Sequence, residues 1–247
     1  MIRERAFVEI SLVERPSRTP VRRTVIGGVV LTLALAAVTG LPHSAAPAAA
    51  DPVCENADDP VHSLGFVANM DPGNDLAAAL ALAGQFDRIE RAVFCLTNIE
   101  RAKAGVPALK WNEGLRNSAA DFAGHAQSRQ WWTDGADFHN DPDLPGIPVT
   151  IQLLRRVKSY NPCNRFIFDP LGVNRWSENA YAGWGSNDST TARAAVTWWM
   201  NSPGHQANLL DRQVTELGVG VRSGAARPGL DNVDPAGIFV QQFVACG

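Results

Sequence analysis

The stretch Trp199–Leu210, with the sequence WMNSPGHQANLL, is the most informative part of this chain. Pro203 and Gly204 stand directly before His205. Proline cannot continue a helix because it lacks the backbone N–H, and glycine tolerates the turn that follows. We therefore expect a helix to stop here, and His205 to be presented as a titratable side chain at a rigid helix exit.

A helix is expected immediately upstream of this stretch. Ser189 and Thr190 are suitable N-terminal caps. The apolar and small side chains that follow share one helical stripe at Ala192, Ala195, Val196 and Trp199. The same periodicity predicts two earlier helices, one over Asp87–Lys103 and one from Asn112 onward.

The remaining segments define the expected fold class. Strand-like runs cover Leu217–Arg222 and Gly237–Ala245. Residues 133–175 form a long proline-containing stretch with one short helix near Val149–Lys158, and such loops are usually functional or covalently tied down. Helices early and strands late, with few βαβ units, predict an α+β fold in layers.

The first 50 residues predict a secretory signal peptide. Arg22-Arg23 precede the apolar run Val25–Val38, and the segment ends in Ala48–Ala50. The run is shorter than the roughly 20 residues that a membrane-spanning helix needs. We expect cleavage after Ala50, an extended segment over 51–74 and a secreted chain with no integral membrane segment. An uncleaved signal anchor is the alternative.

Composition and charge limit the partners. The chain has 247 residues, of which 45% are hydrophobic and 19% charged, as in globular proteins. The first 50 residues carry six arginines against three acidic residues, which leaves 16 basic and 22 acidic residues in the rest. A net-acidic chain without a basic cluster is poorly suited to a phosphate backbone, so we expect no nucleic-acid partner.

All four cysteines lie beyond the expected cleavage site, at Cys54, Cys95, Cys163 and Cys246. An even number in an exported domain predicts two disulfides, because that compartment is oxidising. Three pairings are open and the sequence does not choose among them. We favour Cys54–Cys95 with Cys163–Cys246, which would tie the N-terminal segment to a helix and a long loop to the last strand.

Several motifs in a fixed order resemble bacterial members of the CAP superfamily (the SCP, antigen 5 and pathogenesis-related proteins, including cysteine-rich secretory proteins). Besides Trp199–Leu210, they are Asn98-x-x-Arg101-x-x-x-Gly105, Leu109-x-Trp111-Asn112-x-x-Leu115, Phe138-His139, Glu178-Asn179 and Thr215-Glu216-Leu217-Gly218-Val219-Gly220. The resemblance covers about 88–244. It implies a three-layer α-β-α sandwich with a central antiparallel sheet, occupying 75–247, with a long insert around 140–175.

The resemblance also implies a cleft of two histidines and acidic residues, which binds a divalent metal in some relatives. His139, Glu178 and His205 match three of its four positions, and the fourth, a glutamate in eukaryotic relatives, falls near Ser202. Another carboxylate, of Asp137 or Asp141, could replace this missing glutamate, and the sequence leaves that open.

Two neutral imidazoles with one carboxylate form the ligand set of an open Zn²⁺ site. If a cofactor is present, we therefore expect a divalent metal, Zn or Mg, at His139, Glu178 and His205. Such an ion would make an extracellular metal-dependent hydrolase the alternative function. His125, on the flank of the second helix, is interpreted as structural.

The favoured function is a binding module for an apolar or cell-envelope ligand, through the cleft of His139, Glu178, His205 and Ser202. Apolar residues of the insert, between Ile147 and Phe168, would form the walls that ligand sites generally have. Relatives that bind sterols or fatty acids favour a lipid-like ligand. Two alternatives stay open: these residues pack the insert onto the domain, or the partner is a host or envelope protein.

Overall fold

A four-stranded sheet forms the middle layer of the fold. Its strands are β1 (Lys110–Trp111), β2 (Trp176–Trp184), β3 (Glu216–Ser223) and β4 (Ala236–Val244), in the spatial order β1-β3-β4-β2. Strand β4 runs antiparallel to β2 and β3, whereas β1 pairs with β3 in parallel. The α+β class is confirmed, but the sheet is mixed and not wholly antiparallel, because β1 is parallel to β3. Strand β1 has only two residues, too few to show a strand pattern in the sequence.

The computed structural model describes residues 53–63, 65–66, 75–163 and 176–247. The predicted signal peptide, residues 67–74 of the predicted extended segment and the insert residues 164–175 lie outside this part. The described residues from Cys54 onward belong to one compact unit. None of the helices found in the described residues is long and apolar enough to cross a membrane.

Helices cover both faces of the sheet. Within the described residues they are α1 (Asp75–Lys103), α2 (Glu113–Arg129), α3 (Val149–Ser159), α4 (Ala192–Met200) and α5 (Pro203–Leu209). A 3₁₀ turn at Asn187–Thr190 precedes α4. The short helix predicted in the insert is therefore present as α3, and α5 is a helix that the sequence analysis did not predict.

Alternation along β3 assigns the helices to two outer layers. On one face, apolar side chains of β3 pack with those of α1 and α4, at Leu217, Val219 and Val221. On the other face Gly218 and Gly220 lie under α2, where a Cβ at Gly218 would be 2.1 Å from the backbone nitrogen of Arg116. The glycines let α2 approach the sheet closely, and the result is the expected three-layer α-β-α arrangement.

The helix boundaries near Pro203 differ from the prediction. Helix α4 is capped by Thr191, whose hydroxyl accepts a hydrogen bond from the Ala194 backbone N–H, and not by Ser189 or Thr190. It ends at Met200, but Pro203 then begins α5 instead of only ending a helix. Proline suits a first helical position because the N–H that it lacks needs no partner there. His205 therefore lies inside α5.

Both predicted disulfides are present in the pairing that we favoured. Cys54 bonds to Cys95, with a Cα–Cα distance of 5.8 Å, and this bond ties the N-terminal segment to α1. Cys163 bonds to Cys246 at 5.4 Å, so the chain that follows α3 is held next to the end of β4.

Candidate functional site

Glu178 is the buried centre of the site. It lies on the edge strand β2, directly opposite Gln242 of β4, and its side chain is 0% exposed. Because side chains alternate along a strand, Glu178 shares a face with Ala180, which packs with α2. The Gln242 side chain donates from Nε2 to Glu178 Oε2 over 2.7 Å.

Arg156 of α3 neutralises this carboxylate. Its Nη2 lies 3.1 Å from each of the two Glu178 oxygens, and its guanidinium carbon lies 3.6 Å from the centre of the Phe122 ring. The sequence analysis did not single out Arg156. One signal was available: Arg156 follows the buried residues Gln152 and Leu153 at helical spacings of four and three, so it belongs to the inward stripe of α3.

His139 occupies the remaining side of Glu178. Its Nδ1 lies 2.9 Å from Glu178 Oε1, and both side chains are buried. The backbone N–H of His139 donates to the carboxylate of Asp137 over 3.0 Å. Asp137 is therefore a local acceptor in this turn, and the contact between His139 and Glu178 brings together two of the residues singled out in the sequence.

The three donors decide the charge state of Glu178. Burial is the largest single influence and raises the pKa of the carboxyl group, but the charge of Arg156 and the contacts with His139 and Gln242 together hold the pKa below its usual value. Glu178 is thus ionised at neutral pH. A general acid or base is instead expected to have a pKa near the working pH.

His205 is held by its own helix. Its Nδ1 and the hydroxyl oxygen of Ser202 lie 2.6 Å apart, and both residues are buried. The His205 ring lies 4.9 Å from that of Trp198, and its carbonyl oxygen accepts a hydrogen bond from Asn179. Ser202 therefore contacts His205 directly.

As arranged here, His139, Glu178 and His205 do not fit a divalent metal. Both oxygens of Glu178 already accept hydrogen bonds, and each of them contacts the guanidinium of Arg156. Among the residues that the structure describes, one group of three His, Cys, Asp or Glu ligand atoms lies within 4.8 Å of one another, and it is a different set: His125, Asp141 and Asp143. The metal expected from the sequence stays a prediction.

His125 contacts Asp141, with His125 Nε2 3.0 Å from Asp141 Oδ1. The neighbouring carboxylate of Asp143 also contacts Arg129. These contacts fasten the loop after α2 to that helix. They agree with the structural interpretation of His125. Asp141, one of the two carboxylates considered for the fourth position of the cleft, contacts His125 instead.

The described part of the insert packs onto the domain. Leu153 and Val157 of α3 join a core cluster with Leu115 and Val244, whereas Ile151 is exposed. The residues 166–168 expected to extend an apolar wall lie outside the described part. Leu153 and Val157 thus pack the insert onto the domain, which is one of the two alternatives that the sequence left open.

A pocket of about 220 Å³ opens elsewhere, between α1 and α4. We call it the α1–α4 pocket. Its walls combine apolar and polar side chains: Leu96, Val196, Met200, Glu100, Arg193, Thr197 and Asn201. Apolar stripes were predicted on both helices, but an opening between them was not.

Comparison with known sequences points to one family. Residues 154–243 match the model of the CAP family, described as the cysteine-rich secretory protein family. The chain is similar to the uncharacterized protein YkwD of Bacillus subtilis (strain 168), at 27% identity over 155 residues. That match covers 63% of this chain and 46% of YkwD, so this chain spans less than half of that relative's length.

Two solved structures to which the chain is similar come from Bacillus anthracis and Borrelia burgdorferi. An extracellular protein containing an SCP domain from Bacillus anthracis str. Ames gives a TM-score of 0.43 at 22% identity, covering 65% of this chain and 41% of that one. An outer surface protein from Borrelia burgdorferi gives a TM-score of 0.42 at 19% identity, covering 62% and 89% of the two chains.

Proposed function

We propose that this chain is a bacterial CAP-domain protein that works outside the cell as a binding module and not as a hydrolase. The observation that carries the proposal is the environment of Glu178. A metal-dependent hydrolase needs its carboxylate free to hold the ion or to move a proton. Here that carboxylate is buried and bonded to Arg156, His139 and Gln242.

The α1–α4 pocket supports a small apolar or amphipathic ligand, such as a lipid-like component of the cell envelope. Leu96 and Val196 supply apolar wall, and Met200 adds an adaptable side chain that fits irregular ligand shapes. Glu100, Thr197 and Asn201 place polar groups at the same opening. An opening with both kinds of side chain suits a small ligand that has an apolar and a polar part.

Export is part of the same proposal. We propose that residues 1–50 are a cleaved signal peptide, that 51–74 form an N-terminal segment and that 75–247 are the CAP domain. Two disulfides support this proposal, because such bonds form and persist in oxidising compartments.

Native mass spectrometry of protein exported into the medium tests this function. We expect a mass that corresponds to cleavage after Ala50, to two hydrogens lost for each disulfide and to a retained lipid-sized adduct. Thr197→Trp, which fills the mouth of the pocket from an exposed position, removes the adduct. Arg155→Trp, a matched change on the exposed side of α3, leaves it in place.

Two outcomes would contradict the proposal. A lipid-sized adduct that survives Thr197→Trp would exclude the α1–α4 pocket as its site. A metal-sized adduct that disappears in a His139→Ala, His205→Ala double variant would favour the hydrolase, and turnover assays would then follow.

A further inference from the structure

We propose that Arg156 is a built-in cation of the histidine–glutamate site: it takes the place of a divalent metal on Glu178, and its removal opens that carboxylate to one. The inference goes beyond the binding function, because it holds whether or not the α1–α4 pocket takes a ligand. It follows from three features of Arg156, namely its position on the carboxylate, the charge that it adds and the way the fold holds it.

Nη2 of Arg156 occupies the place that a cation chelated by Glu178 would need. Nη2 of Arg156 lies 3.1 Å from Oε1 and 3.1 Å from Oε2 of Glu178. A metal ion chelated by both oxygens would lie between them, where Nη2 lies now, so the guanidinium and the ion compete for one place. His139 contacts Oε1 and Gln242 contacts Oε2, which leaves both oxygens engaged on their outer sides as well.

The charge of the site leads to the same conclusion. Glu178 is 0% exposed and Arg156 is 13% exposed, so the pair is shielded from water and its two charges compensate each other. A divalent ion added beside Arg156 would leave a surplus of positive charge in a poorly solvated place, which is strongly unfavourable. Without Arg156, the lone carboxylate would instead attract a cation.

The fold holds Arg156 in this position from three directions. The guanidinium stacks on the Phe122 ring of α2. Leu153 and Val157, on either side of Arg156 in α3, are buried in a core cluster. The disulfide of Cys163 with Cys246 fixes the chain shortly after α3. Arg156 is therefore a built part of the site and not a surface side chain that happens to reach it.

A zinc titration of metal-stripped protein tests the inference. All proteins carry His125→Ala, which removes the other group of ligand atoms. The probe is Zn²⁺ alone, followed by calorimetry and by thermal unfolding. We expect Arg156→Met to lower the Kd for Zn²⁺ by at least on the order of tenfold and to make the Tm rise with zinc, since a ligand of the folded state stabilises it.

Two matched variants identify the cause. Arg156→Met combined with Glu178→Gln should lose the gain in zinc affinity, because the carboxylate is gone. Arg156→Lys, which keeps the positive charge, should bind zinc no better than the parent protein. If Arg156→Met does not fold, Arg156→Gln takes its place and keeps a polar group on Glu178.

The inference is overturned by either of two results. One is zinc binding in the parent protein that His139→Ala abolishes and Arg156→Met does not strengthen. The other is zinc binding to Arg156→Met that persists after Glu178→Gln. Failure here is distinguishable from failure of the binding function, because the lipid-sized adduct is measured without added metal on the unaltered chain.

Discussion

Two glutamates of the described residues are fully buried, Glu90 and Glu178, and they differ in how their charge is balanced. Glu90 of α1 accepts from Arg116 over 2.7 Å and from the backbone N–H of Val221 over 3.0 Å. Burial is the main influence on Glu90 and raises its pKa, which Arg116 and Val221 only partly offset. For Glu178 the surrounding donors outweigh burial and the pKa falls.

The difference reflects what each carboxylate does. Strand β1 pairs with β3 only at Glu216 and Leu217. Beyond that point no strand of the described residues pairs with this side of β3, and Glu90 supplies an acceptor there for Val221. Its arginine partners stay about one quarter exposed and share their charge with water. Arg156, the arginine partner of Glu178, is only 13% exposed and shares little of its charge with water. Both glutamates are therefore buried and have a shifted pKa. What distinguishes them is the exposure of their arginine partners: those of Glu90 are partly exposed to water, whereas the partner of Glu178 is nearly buried.

The largest expected effect comes from breaking the Glu178 pair. Arg156→Met should lower the free energy of unfolding by about 3–5 kcal/mol, because it leaves a buried charge without a partner. Urea unfolding of Arg156→Met, Glu178→Gln and the double variant measures it. The double variant should lose clearly less than the sum of the two single changes. Additive losses would show that the two side chains are not coupled.

Glu90→Gln should cost much less, about 1 kcal/mol. Glutamine keeps an acceptor for the Val221 N–H, and the positive charge left on Arg116 is partly solvated. The same urea experiment compares it directly with Glu178→Gln. A loss from Glu90→Gln equal to that from Glu178→Gln would contradict the distinction drawn between the two sites.

The extent to which sequence could predict these sites follows from the range of the interactions. The helical stripe of Ala192–Trp199, the strand run at Gly237–Ala245 and the disulfide framework have local or compositional signals, and all are present. Pro203 misled the helix prediction because proline suits both the residue after one helix and the first residue of the next.

Arg156 shows why the candidate site was only partly predictable. His139 and Glu178 were singled out through a family resemblance, and the structure places them in contact. The partner that sets the charge of Glu178 lies 22 positions before it, on a helix of the insert, and no local spacing links the two. The inward stripe of α3 could have shown that Arg156 points towards the core, but not which acid it meets there.

A pH series sharpens the comparison through opposite signs. The folded pKa of Glu90 is raised above its usual value of 4.5, so the folded state binds a proton more tightly than the unfolded state does. The stability that Glu90 contributes is therefore lost as the pH rises from 4.5 through this raised pKa. The contribution of Glu178 is present above its usual pKa and is lost as pH falls through its lowered folded pKa. Unfolding free energies of the wild type and Glu90→Gln, measured from acid to neutral pH, separate the two. The variant should lack the decline on raising the pH above about 4.5, and an unchanged profile would contradict the raised pKa.

The smallest effect is expected at Arg222, the second arginine near Glu90. Its Nη1 lies 4.0 Å from Glu90 Oε1 and the side chain is 28% exposed, so its attraction for the carboxylate is weakened by water. Arg222→Gln should change the unfolding free energy by no more than about 0.5 kcal/mol, against several for Arg156→Met in the same assay. Raising the salt concentration should reduce the small Arg222 effect further and leave the Arg156 effect nearly unchanged, because salt screens exposed charges more than buried ones. If Arg222→Gln proved as costly as Arg156→Met, the exposure of the partner would not be what separates the two glutamates, and the number of donors around each carboxylate would have to account for the difference.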